Sequence, residues 1–191
     1  MIRALVLCMV AAVSVATAAF AQDADNTLVI EIGGSTSGTV EIALRPDLAP
    51  KHVERIKALA REHAYDGVVF HRVIDGFMAQ TGDVAFGTEA AFGQGRAGTG
   101  GSSLPDLPAE FSNAPFVKGT VGMARSSDPD SANSQFFIML APASHLDGQY
   151  TAVGQVVAGQ EVVDAIKRGD PNSGAVATPD HMVRVQIKGD G

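Results

Sequence analysis

The feature that most constrains this chain is its punctuation: all nine prolines fall outside the runs that could be strands or helix interiors. Proline has a fixed φ and no amide proton, so it is kept out of both. Between the prolines lie short, β-branched segments. Residues 28–32 (Leu-Val-Ile-Glu-Ile) and 39–44 (Thr-Val-Glu-Ile-Ala-Leu) alternate in polarity around the Gly- and Ser-rich residues 33–38, a hairpin signal. Residues 68–74, 120–124, 135–140, 151–157 and 182–188 read as further strands. Pro50 opens a helix reaching about His63, with Val53, Ile56, Leu59 and Ala60 on one face. A second short helix is expected at 161–168, stopped by Gly169 and Pro171. Residues 84–119 form a long Gly/Pro-rich connection, and loops of that length in a small domain usually carry function. The pattern predicts a mainly β domain, a closed or nearly closed antiparallel barrel, with a sandwich the alternative that spacing leaves open.

Composition narrows the function classes. With 46% hydrophobic and 18% charged residues the chain is globular rather than disordered. Its formal net charge is -7 and it has no run of Lys and Arg, so no nucleic-acid partner is expected. At the N-terminus, Arg3 precedes a wholly apolar stretch at 4–13, and Ala19-Phe20-Ala21 is a small-x-small cleavage site. Residues 1–21 therefore read as a secretory signal peptide and 22–191 as one exported domain, periplasmic in a Gram-negative bacterium. The alternative is an uncleaved anchor over residues 4–21, but Ser14, Thr17 and the many alanines make that stretch weakly apolar for a span of about 20 residues. Cleavage removes Cys8, the only cysteine, leaving neither a disulfide nor a thiolate nucleophile. The mature chain is expected to be a monomer without stable membrane association.

Three chemistries can be weighed on spacing. His52, His63, His71, His145 and His181 show no H-x-x-x-H pattern, so no metal is expected. Residues 93–98 (Gly-Gln-Gly-Arg-Ala-Gly) match G-x-G-x-x-G, but the Gly/Ser/Pro stretch that follows does not open the helix a phosphate site needs, and a surface loop fits better. A serine hydrolase could be assembled from His71, Asp75 or Asp83, and Ser126, Ser127 or Ser134, though no G-x-S-x-G elbow is present. More informative are residues 70–83 (Phe-His-Arg-Val-Ile-Asp-Gly-Phe-Met-Ala-Gln-Thr-Gly-Asp), 122–125 (Gly-Met-Ala-Arg) and 134–138 (Ser-Gln-Phe-Phe-Ile). Phe70 and Phe136 read as core. On one strand Phe70, Arg72 and Ile74 would share a face. A guanidinium among apolar rings, with a Gln to orient it, suggests a site for a polar group on an apolar ligand.

These segments resemble the cyclophilin-type peptidyl-prolyl cis-trans isomerases. The family's F-H-R-[VI]-I-x-G-F-M-x-Q-x-G-D signature corresponds to residues 70–83, with Thr81 where Gly is commoner. Its G-T-G-G loop corresponds to 98–101, its G-M-A to 122–124, its S-Q-F-F-I to 134–138 and its L-D-G to 146–148. The resemblance runs from about Leu28 to Lys188. It implies a closed eight-stranded antiparallel β-barrel capped by two α-helices, with the substrate groove on its outer wall. It implies an X-Pro isomerase acting on proline-containing peptides and unfolded exported proteins without metal or cofactor. A non-catalytic peptide-binding chaperone is the alternative. By resemblance Arg72 is catalytic and Gln80 holds its guanidinium. Phe77, Met78, Phe137 and Leu146 would line the proline pocket, and Ala124, Arg125, Ser126 and Gln135 would bind peptide backbone. Gly98 and Tyr150 would sit at the rim. Two positions depart from the commoner pattern: Arg125 stands where many members have Asn, and His145 where many eukaryotic members have Trp. Both bear on ligand preference.

Overall fold

The structure is a computed structural model that describes residues 23–191. The expected signal peptide and the expected new terminus at Gln22 lie outside those residues.

The first hairpin forms where polarity alternates. In β1 (Thr27–Gly33) and β2 (Gly38–Leu44), Leu28, Ile30, Ile32, Val40, Ile42 and Leu44 all point inward and are buried. The turn between them is held from across the molecule: the buried Asp180 carboxylate accepts the backbone N–H groups of Ser35 and Thr36 and the Ser35 hydroxyl. Burial alone would raise the Asp180 carboxyl. Donors from Lys167, Ser35 and Thr36 outweigh it and hold the group below the usual carboxylate range.

Helix α1 (Pro50–Arg61) follows the sequence reading, with Pro at its first position and Val53, Ile56, Leu59 and Ala60 buried. Ala49 supplies no side-chain cap. Glu110, from the long connection, accepts the backbone N–H groups of Lys51 and His52 instead, which meets the need for an acceptor at a helix start. Helix α2 (Gln160–Ala165) is shorter than expected. The Asp180 carboxylate accepts the Lys167 N–H, and the Arg168 guanidinium donates to the carbonyls of Ile166 and Asp164, so the next turn of helix cannot form.

The remaining strands are β3 (Val68–Val69), β4 (Arg72–Ile74), β5 (Met78–Thr81), β6 (Thr120–Met123), β7 (Phe136–Met139), β8 (Ala152–Ala158) and β9 (His181–Ile187). They join one antiparallel sheet in the order β3-β9-β1-β2-β8-β6-β7-β5-β4. Register shifts in β1, β2 and β6 add twist and curl the sheet. The result corrects the expected closed eight-stranded barrel: it is a curled nine-stranded half-barrel whose hydrogen-bond ladder stays open. Two strands exceed the seven runs read from the sequence: β5 was not expected, and the single run expected at 68–74 breaks at Phe70 and His71. Phe70 N–H donates to the Asp180 carbonyl, so β3 pairs with β9 at one edge while β4 pairs with β5 at the other. The same break overturns the expected common face of Phe70, Arg72 and Ile74. Phe70 is wholly buried in the interior core, whereas Ile74 packs on the opposite side of the sheet.

The two faces carry two apolar clusters. The inner one includes Val73, Ala79, Val121, Phe136 and Ile138 together with the buried faces of both helices. The outer one is smaller and includes Met78, Phe116, Phe137, Met139 and Leu146. Strand alternation explains the division, since neighbours along β4 to β7 go to opposite sides.

Candidate active site

The outer face is ordered in cross-strand rows. Arg72 is opposite Gln80, Gln80 opposite Phe137, and Phe137 opposite Gly122. The next row is Ile74, Met78 and Met139. Arg72 therefore lies at the end of a row of apolar and amide side chains, and its rim is polar. The guanidinium donates to Gln80 Oε1 (3.3 Å) and to the Ser173 carbonyl (3.2 Å).

The direction of this hydrogen-bond chain follows from the chemistry of its far end. The carbonyls of Gly98 and Gly100 can only accept, so Gln135 must present its amide nitrogen to them, at 3.1 and 2.8 Å. Gln135 Oε1 then faces Gln80 Nε2 at 3.0 Å, and Gln80 Oε1 is left to receive Arg72. Each amide has one orientation that satisfies its neighbours. The glycine segment at the far end is fixed in turn by buried Asp83, which accepts the N–H groups of Gly98, Gly100, Ala85 and Phe86. Gly98 adopts φ +90°, and a Cβ there would meet the ring of buried His71 at 3.0 Å. Glycine is required by both backbone and contact. Burial holds the His71 imidazole below its ordinary pKa.

Beside Arg72 lies an open apolar groove of about 370 Å³. Phe77, Met78, Phe137 and Leu146 line it, with Gln80, Ala124, Arg125, His145 and Tyr150. Its walls are braced by rings. Phe137 stacks on Phe116 with centroids 5.9 Å apart and meets Tyr150 edge-on at 5.8 Å. Phe77 stacks on exposed His145 at 5.8 Å. A second groove of about 540 Å³ adjoins it and is polar, with Gly98, Ser126, Asn133, Gln135 and Asp106 in its lining. Gln80, Ala124 and Arg125 belong to both grooves and form the divide.

Most residues singled out in the sequence thus converge, but into two grooves. Arg72, Phe77, Met78, Phe137, His145, Leu146 and Tyr150 line the apolar one alone, while Gly98, Ser126 and Gln135 line only the polar one. Sequence reasoning missed Phe116, one of four phenylalanines in the Gly/Pro-rich connection, with Phe86, Phe92 and Phe111, and nothing in its spacing sets it apart from them. It also missed Gly122 as a packing position, the Ser173 carbonyl that fixes Arg72, and Asp83 as anchor of the glycine segment. The hydrolase arrangement does not assemble: Asp75 pairs with Arg168, the Ser134 hydroxyl donates to the Gly82 carbonyl, and neither ring nitrogen of His71 has a hydrogen-bond partner. Other histidines are engaged separately, His52 with Glu110, His63 with Asp66 and His181 with Glu89. No helix follows Gly98, so the G-x-G-x-x-G run is a surface loop.

An apolar slot with a fixed guanidinium on one wall and amide groups leading away suits a small ring carried by an extended peptide. Comparison with known proteins assigns the class. The profile described as Cyclophilin type peptidyl-prolyl cis-trans isomerase/CLD matches residues 27–187, and the chain belongs to that family of enzymes. It is 56% identical over 189 residues to a "Probable peptidyl-prolyl cis-trans isomerase" of Brucella suis, covering 98% of this chain and 93% of the relative. Peptidyl-prolyl cis-trans isomerase 10 of Caenorhabditis elegans is 39% identical over 137 residues, covering 70% and 78%. Among solved structures, a cyclophilin from Hirschia baltica superposes with TM-score 0.74 at 27% identity, covering 88% of this chain and 76% of that one. A Cryptosporidium parvum cyclophilin-type isomerase, crystallised in the presence of the dipeptide Ala-Pro, superposes with TM-score 0.71 at 24% identity and supports the fold alone.

Proposed function

We propose that the apolar groove holds the proline ring and that Arg72 is the catalytic residue. Rotation about the peptide C–N bond must cross about 18–20 kcal/mol because resonance is lost, while cis and trans X-Pro differ by only about 0.5–1 kcal/mol. Catalysis here needs no covalent step. It needs a site that binds the twisted amide better than either planar form. In the twisted amide the proline nitrogen regains its lone pair, and a guanidinium N–H can donate to it. Arg72 has five N–H groups, of which the Gln80 and Ser173 contacts use two. The observation that carries this reading is the Gly98/Gly100–Gln135–Gln80–Arg72 chain, which holds the guanidinium at the groove wall before substrate arrives. One preorganised donor contributes about 2.7–4 kcal/mol, whereas a 10⁶-fold enhancement needs about 8 kcal/mol. The balance comes from Phe77, Met78, Phe137 and Leu146 gripping the ring while the preceding carbonyl turns in a partly desolvated slot. Gln80 is a positioning residue acting through Arg72, and Ala124, Arg125, Ser126 and Gln135 flank the peptide on either side of the divide. A protease-coupled isomerisation assay on a prolyl peptide tests the reading. First-order acceleration of the slow cis phase is expected. Saturable peptide binding without acceleration would mean a passive binding module.

We further propose that residues 1–21 direct export, that the mature enzyme begins at Gln22, and that its substrates are unfolded exported proteins, in the periplasm of a Gram-negative host. The support is the sequence order of Arg3, the apolar run and Ala19-Phe20-Ala21. N-terminal sequencing of natively expressed protein should return a chain beginning at Gln22. A membrane-bound chain beginning at Met1 would contradict it.

A further inference from the structure

The divide between the two grooves carries a charge to which the isomerase reading, which uses Arg125 only to flank the peptide, gives no electrostatic role. Arg125 lines both grooves. Its guanidinium lies over the Tyr150 ring at 4.4 Å and donates to the carbonyls of Ser126 (2.9 Å) and Gln149 (3.0 Å). Ring and carbonyls fix the group in place. None of these contacts neutralises it. Among the described residues no carboxylate lies within ion-pair distance, although the chain as a whole is acid-rich with a formal net charge of -7. Its Nε is buried without a hydrogen-bond partner. The acids nearest along the polar groove and its loop are otherwise engaged. Asp106 accepts the Asn133 amide, Asp128 accepts the Asp130 N–H, and Asp130 accepts the Ala109 N–H.

We infer that Arg125 selects substrates with an acidic residue immediately before the proline. The inference rests on the proline ring occupying the apolar groove. With the ring there and its nitrogen at Arg72, the substituent leaving that nitrogen outside the ring is the acyl carbon of the preceding residue. Arg72 lines only the apolar groove, Gln80 both and Gln135 only the polar one. The preceding residue therefore leaves along Gln80 and passes the divide, where Arg125 stands. A carboxylate there meets a fixed, unneutralised guanidinium with N–H groups to spare, a charge-assisted contact. One residue further on, the chain enters the groove that Asp106 lines, where a second acid gains nothing. The selected class is thus Glu-Pro or Asp-Pro with a neutral or basic residue before it.

The test is a ratio, which is insensitive to overall activity. kcat/KM is measured by the protease-coupled assay for two peptides differing only as Ala-Glu-Pro-Phe and Ala-Gln-Pro-Phe anilides, with the parent and with Arg125→Gln. The parent should favour Glu about 3- to 10-fold at low salt, the range of a partly exposed charge-assisted contact. That preference should shrink in salt near 1 M, where the Debye length is about 3 Å, and should vanish in Arg125→Gln. A parent that turns over both peptides equally would overturn the selectivity while leaving the isomerase reading intact. Retention of the Glu preference in Arg125→Gln would place the selecting charge elsewhere. Acceleration of neither peptide would remove the isomerase reading and the selectivity together.

Discussion

Replacing Gly122 by alanine probes the packing behind Phe137, on the wall of the apolar groove, with a single methyl group. Gly122 has an ordinary backbone conformation, so the substitution carries no left-handed strain. Restricting the unfolded chain would then stabilise the protein by about 0.4–1 kcal/mol. The packing opposes this. A Cβ at 122 would lie 2.6 Å from Phe116 Cε1, 2.6 Å from Phe137 Cζ and 3.0 Å from Phe137 Cε2. Two stacked rings must each give way by close to an ångström. Phe116 is pinned by its N–H to Asp147 and by its carbonyl, which accepts from Ala143, so Phe137 yields toward the groove. Overpacking of this kind costs about 1–3 kcal/mol, which outweighs the entropic gain and makes the net change destabilising. The displaced Phe137 narrows the slot, and kcat/KM should fall about 10-fold, about 1.4 kcal/mol of transition-state binding. Urea denaturation and the isomerisation assay would be run on Gly122→Ala, Phe116→Leu and the double variant. Loss of stability in Gly122→Ala and partial recovery in the double variant are expected, the coupling signature of residues in contact. A Gly122→Ala protein that is more stable than the parent and fully active would refute the reasoning.

Two further outcomes follow from the same geometry. His52 and His71 are held below their ordinary pKa chiefly by burial, so the unfolded chain takes up protons near pH 6.5 that the folded chain resists. Their contribution is complete above about pH 6.5 and is lost as pH falls, with a slope of up to about 1.4 kcal/mol per pH unit for each histidine. Glu110 and the other carboxyls with lowered pKa act only further down, near and below about pH 4. Urea midpoints should decline between pH 7 and 5, and less steeply in His71→Gln; a flat profile would contradict the burial argument. At the groove rim, His145→Trp should strengthen binding of a proline-free apolar cyclic peptide probe, cyclosporin, about 10- to 100-fold by adding a broader apolar wall and an indole N–H beside Phe77. Equal affinities by calorimetry would mean that position 145 does not control binding in the apolar groove.

How much of this was legible in the sequence depended on the range of the determinants. The β1–β2 hairpin and α1 were readable because alternation at period two and apolar spacing at three and four are local signals. The residues facing the groove were named through the resemblance carried by residues 70–83, 122–124 and 134–138, whereas alternation alone put Phe70 on the face of Arg72 and Ile74 when it belongs to the inner core. The break of 68–74 into β3 and β4 was not readable, because it depends on the carbonyl of Asp180, more than a hundred residues away. The end of α2 was hidden for the same reason, through the Asp180 carboxylate and the Lys167 N–H. Phe116 was invisible as the ring behind Phe137 because no periodicity distinguishes it from Phe86, Phe92 and Phe111 in the same irregular connection. The division into two grooves escaped notice as well, since Gln135, just before β7, and Phe137, on it, are only two residues apart yet line different volumes.

The measurement that bears most directly on the account is the isomerisation rate of Arg72→Ala beside Arg72→Lys, each checked for an unchanged fold by circular dichroism. Arg72→Ala should retain the fold and lose about 10²–10³-fold in kcat/KM, the loss expected for one preorganised donor. Lysine should rescue little, because it lacks the planar fork that Gln80 and the Ser173 carbonyl hold in place. A folded Arg72→Ala enzyme with the parent's rate would contradict the claim that this guanidinium stabilises the twisted amide.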